Sequence, residues 1–424
     1  MKASRDNRKA LFAITSTAQA EMFKSIAEQL SGWDILAINE NKWYKSKEVE
    51  RTLESLEFPY KTIRSCTAGA IKGILKEERP DVIIFGHDGN AIDRLFIRCA
   101  NSEAIPTLLV QDGIMAASRE KTNKGGNVSL GLKYLTSLPH RILRFIRNKD
   151  YSWRSKIAFT LLEWKYGTRW NLEVYGHGEC SKMAVLGDAV KGMLLSEGIK
   201  PERIVVTGNP KFDKLFYSRD GNSKQKVCEK WDIPTDKEIV LLLTGQFVEG
   251  GLWSSEQRRE FILAIATAAA ALPHARLIIK LHAPQESEQD YDEIIKGLPH
   301  PPIVCKYAPL HELLNACSLA MTVSSTAALE AMALGRPVIL VNLFNDAGAL
   351  FYKGSGALFA EKEKDILPAI NKALYDSQTR NEMAKSMENF VYQQAHLQDG
   401  QASKRIADLI IQMIEESRKA RVET

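Results

Sequence analysis

The chain has 424 residues, of which 45% are hydrophobic and 26% are charged, the balance of a soluble globular protein. This length is too great for one ordinary domain and suits two large ones. No apolar run approaches the roughly 18 residues that a membrane-spanning helix needs. The first seven residues are charged and polar, so they lack the apolar core of a secretory signal. The sequence therefore predicts a two-domain protein of the cytoplasm.

The cysteines and histidines predict neither a disulfide framework nor a metal centre. The chain has six cysteines, none of them spaced as C-x-x-C, and no His/Cys cluster with metal-ligand spacing. We therefore expect reduced, buried thiols, no metal ion and no cofactor.

The net charge of +5 is concentrated in one segment. Between Gly131 and Trp170 lie nine Lys or Arg and two acidic residues, a local charge of +7, so the rest of the chain carries −2. Apolar residues recur there at helical spacing and include Trp153 and Trp164. A basic amphipathic helix pair suits an anionic membrane surface, and a solvated helix pair is the alternative. Without a recognised binding module, we do not expect nucleic-acid binding.

Apolar strand-like runs alternate with helix-length segments along the chain, which is typical of parallel α/β proteins. In the first half the predicted strands are Leu11–Ile14, Ile35–Ile38, Asp81–Phe85, Thr107–Val110, Leu172–Tyr175 and Ile204–Thr207. In the second half they are Ile239–Leu243, Arg276–Leu281, Ile303–Val304, Leu319–Val323 and Val338–Val341.

A polar stretch over 217–237 predicts a linker between the halves. We expect a Rossmann-like domain over 1–218, carrying the basic insert 131–170. A second Rossmann-like domain is expected over 219–375 and a region of C-terminal helices over 376–424. Because parallel sheets bind ligands beyond the carboxyl ends of their strands, the two domains are expected to face each other across a ligand-binding cleft.

The most informative pattern is the segment from Leu319 to Leu340. An apolar strand ends in Ser324-Ser325-Thr326, which begin an alanine-rich helix. Free N–H groups at a helix start can bind a phosphate. Glu330, one turn later, is suited to accept hydrogen bonds from a ribose diol. The alternative is an ordinary helix cap followed by a solvated acid.

Three further loops of the second half carry candidate residues. They are Lys280 and His282 after one strand, Gly245 and Gln246 after another, and Pro309 and Leu310 at the start of a short helix. The basic pair suits a second phosphate contact, and glycine permits close approach of the backbone. A nucleotide base could lie against the short helix.

In the first half, two glycine-flanked loops follow strands. The first contains His87 and Asp88, and the second contains Asp112. Glycines let the backbone turn sharply and expose such side chains. Such ionisable side chains are suited to act as a general base. The alternative for each Asp-Gly pair is an ordinary turn.

Two more segments of the first half are candidates for the cleft. His177 lies between two glycines, where a ligand contact and a turn are equally consistent with the sequence. Gly208 and Asn209 follow the last strand and are candidates for a backbone contact to a bound ligand. Asp213 is interpreted as a cap of the linker helix.

Together these segments resemble the nucleotide-binding domain of GT-B glycosyltransferases. The resemblance is to a branch that includes capsule Kdo transferases, CDP-glycerol glycerophosphotransferases and sugar-nucleotide 2-epimerases. It rests on Val206–Asp213, Lys280–Pro284 and Ser324–Pro337. That branch usually has K-x-H-P in the second segment, whereas here Ala283 stands before the proline.

The resemblance implies that His282, Ser325 and Thr326 hold the donor phosphates and that Glu330 holds the ribose. It implies a metal-independent glycosyltransferase that uses a UDP- or CMP-linked sugar and extends a surface glycan or a lipid-linked acceptor. Such an enzyme would be cytoplasmic or peripheral at the inner face of the membrane.

In the teichoic-acid enzymes a Q-x-x-H-G or Q-H-G segment supplies the base, and Gln111-Asp112-Gly113 matches its position, with Asp where His stands. Transfer to an acceptor hydroxyl would need such a base, for which Asp112 is the first candidate, with Asp88 and His87 behind it. The domain over 1–218 would then lie on the acceptor side.

Three alternatives to sugar transfer stay open. The 2-epimerases share the fold and the V-T-G-N turn, but their H-R-x-E-N segment is not found, which favours a transferase. A CDP-glycerol-type glycerophosphotransferase and a non-enzymatic nucleotide-sugar binder are the others.

Overall fold

The computed structural model describes residues 8–39, 46–63, 65, 67–89, 91–113, 153, 157, 175–219, 221–282 and 285–423. Of the basic segment 131–170, only Trp153 and Ile157 are among them, and both are exposed. The helix pair expected there otherwise lies outside the described residues, as do residues 172–174 of one expected strand. Tyr175, the last residue of that expected strand, lies in a turn.

The described residues form two compact units. The first contains the chain up to Asp213 together with Ala395 onward, and the second contains Lys214–Gln394. The region expected to form separate C-terminal helices is therefore divided between the two units.

The first unit has a parallel sheet of seven strands among its described residues, in the order β3-β2-β1-β4-β5-β6-β7. Its strands are β1 (Lys9–Ile14), β2 (Asp34–Asn39), β3 (Tyr60–Thr62), β4 (Val82–Phe85), β5 (Thr107–Val110), β6 (Lys182–Val185) and β7 (Ile204–Val206). Its helices are α1 (Thr17–Ala27), α2 (Ser46–Ser55), α3 (Ala68–Glu78), α4 (Ala91–Ser102), α5 (Asp188–Ser196) and α6 (Pro210–Tyr217), which runs past the unit boundary.

The second unit has a parallel sheet of six strands in its described part, in the order β10-β9-β8-β11-β12-β13. Its helices begin with α7 (Ser223–Lys230). Its strands are β8 (Glu238–Leu243), β9 (Ala275–Lys280), β10 (Ile303–Cys305), β11 (Leu319–Thr322), β12 (Val338–Val341) and β13 (Leu358–Ala360). The later helices are α8 (Ser255–Ala270), α9 (Glu288–Ile295), α10 (Leu310–Ala316), α11 (Ala327–Ala333), α12 (Glu363–Tyr375) and α13 (Ser377–Ala395); α14 (Ala402–Glu423) returns to the first unit.

These sheets confirm the expected α/β class with two Rossmann-like halves. Successive residues of a strand point to opposite faces, so a strand covered by helices on both sides is apolar throughout. Leu11 and Phe12 of β1 accordingly belong to the hydrophobic clusters on opposite faces of the first sheet. Ile406 and Ile410 of α14 lie in the same cluster as Phe12, which explains why the end of the chain belongs to this unit.

Two sequence interpretations are corrected by the structure. The polar stretch 217–237 is not an open linker, because it contains α7, where Val227 and Cys228 are buried. Asp213 does not cap a linker helix. Its carboxylate accepts the N–H groups of Ala402 at 2.9 Å and Ser403 at 2.7 Å, and so it holds the start of α14.

In each sheet the strand order reverses at one point, between β1 and β4 in the first and between β8 and β11 in the second. Open parallel sheets bind ligands beyond the carboxyl ends of the strands at such a point. Among the helices that the structure describes, none combines the length and the apolar composition that crossing a membrane would require.

Candidate functional site

Three loops of the second unit begin side by side at its switch point. Leu243, the last residue of β8, pairs with Thr322 of β11 and with Lys280 of β9. The loops that follow these strands carry most of the residues predicted to bind a nucleotide. The register of the sheet therefore places these residues together along one edge of the sheet, formed by the carboxyl ends of the strands.

His282 and Gln246 are in contact at this edge. The Nδ1 atom of His282 lies 2.8 Å from Nε2 of Gln246, which also donates to Oε1 of Gln285 at 3.0 Å. Gly245 precedes them, and a Cβ there would lie 2.7 Å from the ring of Phe247. A larger residue at this position would therefore force the ring of Phe247 or the loop to shift.

A buried carboxylate anchors the loop that carries His282. Glu286 is fully buried, and its Oε2 accepts the backbone N–H of His282 at 2.6 Å and the hydroxyl of Thr244. Its other oxygen accepts the hydroxyl of Tyr291. Burial, followed by the charge of Glu286, raises the pKa of Tyr291, so the phenol stays a donor. No local pattern in the sequence indicates this cluster.

The ammonium group of Lys280 makes hydrogen bonds within the second unit. It donates to the carbonyl of Leu281 at 2.8 Å and to that of Lys306 at 2.7 Å. Burial lowers its pKa. Two of its three N–H donors thus join the ends of β9 and β10, which leaves one for a ligand.

The hydroxyl residues between β11 and α11 lie at the surface of the same edge. Ser324 and Ser325 are half-buried and Thr326 is exposed. The hydroxyl of Ser325 accepts the N–H of Ala327 at 3.2 Å, and its carbonyl accepts the hydroxyl of Tyr352 at 2.7 Å. The segment is therefore fixed from both sides, while its hydroxyl hydrogens can still be donated.

Glu330 is buried on α11 and lies close to a histidine that was not among the residues predicted to bind the nucleotide. Its Oε2 lies 3.3 Å from Nε2 of His311, in the first turn of α10. Pro309 and Leu310 directly precede this histidine. His311 and Glu330 are 19 residues apart in sequence, so no local sequence pattern predicts that α10 and the predicted ribose contact lie next to each other.

In the first unit, Asp112 follows β5 and is exposed. Its Oδ2 accepts Nε2 of Gln19 at 2.6 Å, and Oε1 of Gln19 in turn accepts the N–H and hydroxyl of Thr15. The side chain of Asn209, which is 3% exposed, donates to the carbonyl of Gln111 at 2.6 Å. Asn209 therefore holds the backbone of the loop that carries Asp112.

Asp88 and His87 have different surroundings although they are neighbours. Asp88 is fully buried, and its carboxylate accepts the N–H of Gly176 at 3.1 Å and that of Gly178 at 2.6 Å. Nδ1 of His87 accepts the N–H of Gly89 at 2.6 Å, so its other nitrogen carries the proton in the neutral ring. Asp88 therefore ties two loops together, and the ring of His87 is held by its own loop.

Asp88 thereby holds the turn that contains His177. Nε2 of His177 lies 3.7 Å from Oε2 of Glu197, within ion-pair distance. Gly208 has a φ of 76° and packs against α14, where an added Cβ would lie 3.3 Å from that of Ala402. Within the described ranges, no three side chains of His, Cys, Asp or Glu come together as a metal ion would need.

Comparison with known proteins confirms the resemblance inferred from the motifs. The family model described as UDP-N-acetylglucosamine 2-epimerase matches residues 181–411, just over half of the chain. A UDP-N-acetylglucosamine 2-epimerase of Yersinia pestis is 24% identical over 200 residues, 46% of this chain and 52% of that protein. A processive diacylglycerol beta-glucosyltransferase of Bacillus licheniformis is 24% identical over 222 residues, 51% of this chain and 55% of that protein.

The chain spans about half the length of these curated relatives. Among solved structures, UDP-GlcNAc 2-epimerase from Neisseria meningitidis bound to UDP-GlcNAc superposes with a TM-score of 0.61 at 13% identity. That match covers 95% of this chain and 100% of the other. At this identity the likeness is one of fold.

Proposed function

Because the chain belongs to the UDP-N-acetylglucosamine 2-epimerase family, we propose that it is an enzyme that binds a nucleotide-activated sugar at the switch point of its second unit. The observation that carries the proposal is that the loops after β8, β9 and β11 begin side by side, because Leu243 pairs with both Lys280 and Thr322. Polar and cationic groups are thereby gathered at the carboxyl ends of these three strands. Diphosphates bind at such edges because backbone N–H groups and small side chains converge there.

In this proposal His282, Ser325 and Thr326 hold the diphosphate. Hydroxyl donors and an imidazole stabilise the negative charge that grows on the leaving phosphate as the bond to the sugar breaks. Gln246 orients the ring of His282 through their 2.8 Å contact. Glu330 receives the ribose diol, and Lys280 keeps the β9 and β10 ends in place.

For the reaction we propose transfer of the sugar to an acceptor hydroxyl, with Asp112 as the general base. Asp112 is the exposed carboxylate of the two, whereas both oxygens of Asp88 already accept backbone N–H groups. A carboxylate held by Gln19 is pre-oriented to take a proton. No metal or cofactor is needed in this scheme, and the acceptor is a glycan or a lipid-linked glycan.

The second candidate is 2-epimerisation of a UDP-linked N-acetylhexosamine, which the family match itself favours. The two reactions differ in what they consume. Epimerisation converts UDP-GlcNAc without any other substrate, whereas transfer releases UDP only when an acceptor hydroxyl or water receives the sugar. Incubation with UDP-GlcNAc alone, followed by separation of its epimers, distinguishes them.

Binding is tested first, by melting the protein with UDP, CDP, CMP or GDP. A ligand that binds the folded state raises the melting temperature by mass action. We expect UDP to give the largest shift, and a CDP preference would favour the glycerophosphate alternative. The double variant Ser325→Ala/Thr326→Ala should lose most of the shift. If all four nucleotides leave the wild-type melting temperature unchanged, the proposal is wrong.

We also propose that residues 131–170 attach the enzyme to an anionic membrane surface, where a lipid-linked acceptor would lie. Support comes from the local charge of +7 and from the exposure of Trp153 and Ile157. Liposomes containing phosphatidylglycerol should bind the protein and release it as salt rises. Equal binding to phosphatidylcholine liposomes would contradict this surface.

A further inference from the structure

A cavity of about 700 Å³ lies in the first unit at the amino ends of β4 and β5. The switch points lie at the carboxyl ends of the strands, so this cavity is on the opposite edge of the sheet. It is formed by one face of α3, by the residues just before β4 and β5, and by the C-terminal half of α14. The side chains of Leu75, Ile105 and Ile414 give it an apolar lining, and all three are buried. Its volume is in the range of cavities that bind small molecules.

Basic side chains outnumber acidic ones by two around this cavity. Four basic and two acidic residues line it. Nη2 of Arg418 lies 3.1 Å from Oδ1 of Asp81, and Nζ of Lys72 lies 3.6 Å from Oε1 of Glu103. Each acid of the lining is therefore paired with a base of the lining, and two positive charges are left over.

Lys76 and Arg79 supply these two charges. They are three residues apart at the end of α3, so their side chains lie on the same face of that helix. Neither makes an ion pair within the part of the chain that the structure describes. Arg79 has a φ of 47°, a left-handed conformation that glycine adopts more readily at a helix end. The carboxyl end of a helix attracts cations by itself, so these two residues also suit α3 without any ligand.

From this geometry we infer that the cavity binds a phosphate monoester with an apolar or aromatic body, at a site of the first unit that is separate from the proposed nucleotide site. Its dianionic phosphate lies between Lys76 and Arg79 and compensates the two excess charges. Arginine suits this role because its guanidinium donates two parallel N–H bonds to a phosphate, and lysine adds a point charge. The body of the ligand packs against Leu75, Ile105 and Ile414, where its apolar surface leaves water.

The lining is suited to binding and not to a reaction. Both of its carboxylates are paired, and no histidine or cysteine is among the described residues that form it. A general base or an activated nucleophile would need such a group. The cavity therefore holds its ligand without converting it.

Isothermal titration with phenyl phosphate, a simple aromatic monoester, tests this site. We expect the wild-type chain to bind phenyl phosphate more tightly than either inorganic phosphate or phenol, because each of these offers only part of the contacts. Lys76→Gln/Arg79→Gln should weaken phenyl phosphate by about ten-fold or more, because two charge-assisted hydrogen bonds are lost. Ser417→Asp, which adds a negative charge to the lining, should weaken it as well. The matched control is Arg51→Gln/Lys200→Gln, which removes the same two charges from exposed positions of the first unit outside the cavity and should bind like the wild type.

The outcomes distinguish this site from the proposed nucleotide site and from a purely structural role. Equal affinity in Lys76→Gln/Arg79→Gln and in the control would overturn the inference and leave both residues as cations that stabilise the end of α3. Loss of phenyl phosphate binding in Ser325→Ala/Thr326→Ala would place the probe at the proposed nucleotide site and would also overturn it. A folded wild-type chain that does not bind phenyl phosphate, or binds it no better than inorganic phosphate, is the third result against it. The proposed binding of UDP stands or falls separately.

Discussion

The buried carboxylate of Glu286 gives the sharpest stability prediction. In Glu286→Ala three donors lose this charged acceptor: the N–H of His282 and the hydroxyls of Thr244 and Tyr291. The N–H of His282 keeps Oγ1 of Thr244 at 3.2 Å, and the hydroxyl of Thr244 keeps the carbonyl of Lys280 at 3.2 Å. A hydrogen bond to a charged group contributes about 1.5–3 kcal/mol, and the losses overlap because two of the donors keep a second acceptor. We expect the second unit to lose about 3–5 kcal/mol of unfolding free energy.

That loss is large enough to measure by melting. A unit of this size shifts by about 2–4 °C per kcal/mol, so its transition should fall by about 6–20 °C. Nucleotide affinity should fall as well, because the loop that carries His282 loses its anchor. The matched control is Glu293→Ala, an exposed acid on the neighbouring α9. If Glu286→Ala melts with the control and binds UDP equally, the anchoring role is refuted.

Three further predictions follow from single contacts. Asp213→Ala should destabilise the first unit by about 1–2 kcal/mol in urea, because α14 loses a carboxylate that caps two of its N–H groups; Asp213→Asn should recover part of this, and an unchanged midpoint would be inconsistent with capping. Asp112→Asn should abolish turnover but keep the UDP affinity of the wild type, and full turnover would remove it as the base. Gly245→Ala should weaken UDP binding, since the added Cβ meets the ring of Phe247 at 2.7 Å; affinity equal to that of the wild type would show that the loop tolerates the shift.

The sheet cores were readable from sequence because a buried parallel strand is apolar at every position. Val82–Phe85 and Val338–Val341 are of this kind, and all their residues are buried. Tyr60–Thr62 and Leu358–Ala360 were missed because they are three-residue strands at the sheet edges, and only Ala360 among their residues is buried. Lys182–Val185 was missed as well, although it is an interior strand and three of its four residues are buried.

The site could be predicted only where its residues follow strands directly. His282, Gln246 and Ser325 were found by that rule, and the register of the sheet brings their loops to one edge. The supporting contacts join residues far apart in sequence, such as Asp88 with Gly178 and Thr244 with Glu286. Such pairs have no spacing rule, since the fold alone determines which loops meet.

The central claim is that the second unit binds a nucleoside diphosphate sugar at its switch point. A crystal structure of the wild-type chain grown with UDP tests it most directly. We predict the diphosphate within hydrogen-bonding distance of Ser325, Thr326 and His282, and the ribose diol on the carboxylate of Glu330. UDP bound elsewhere on the chain, or no UDP in crystals grown at saturating concentration, would contradict the claim.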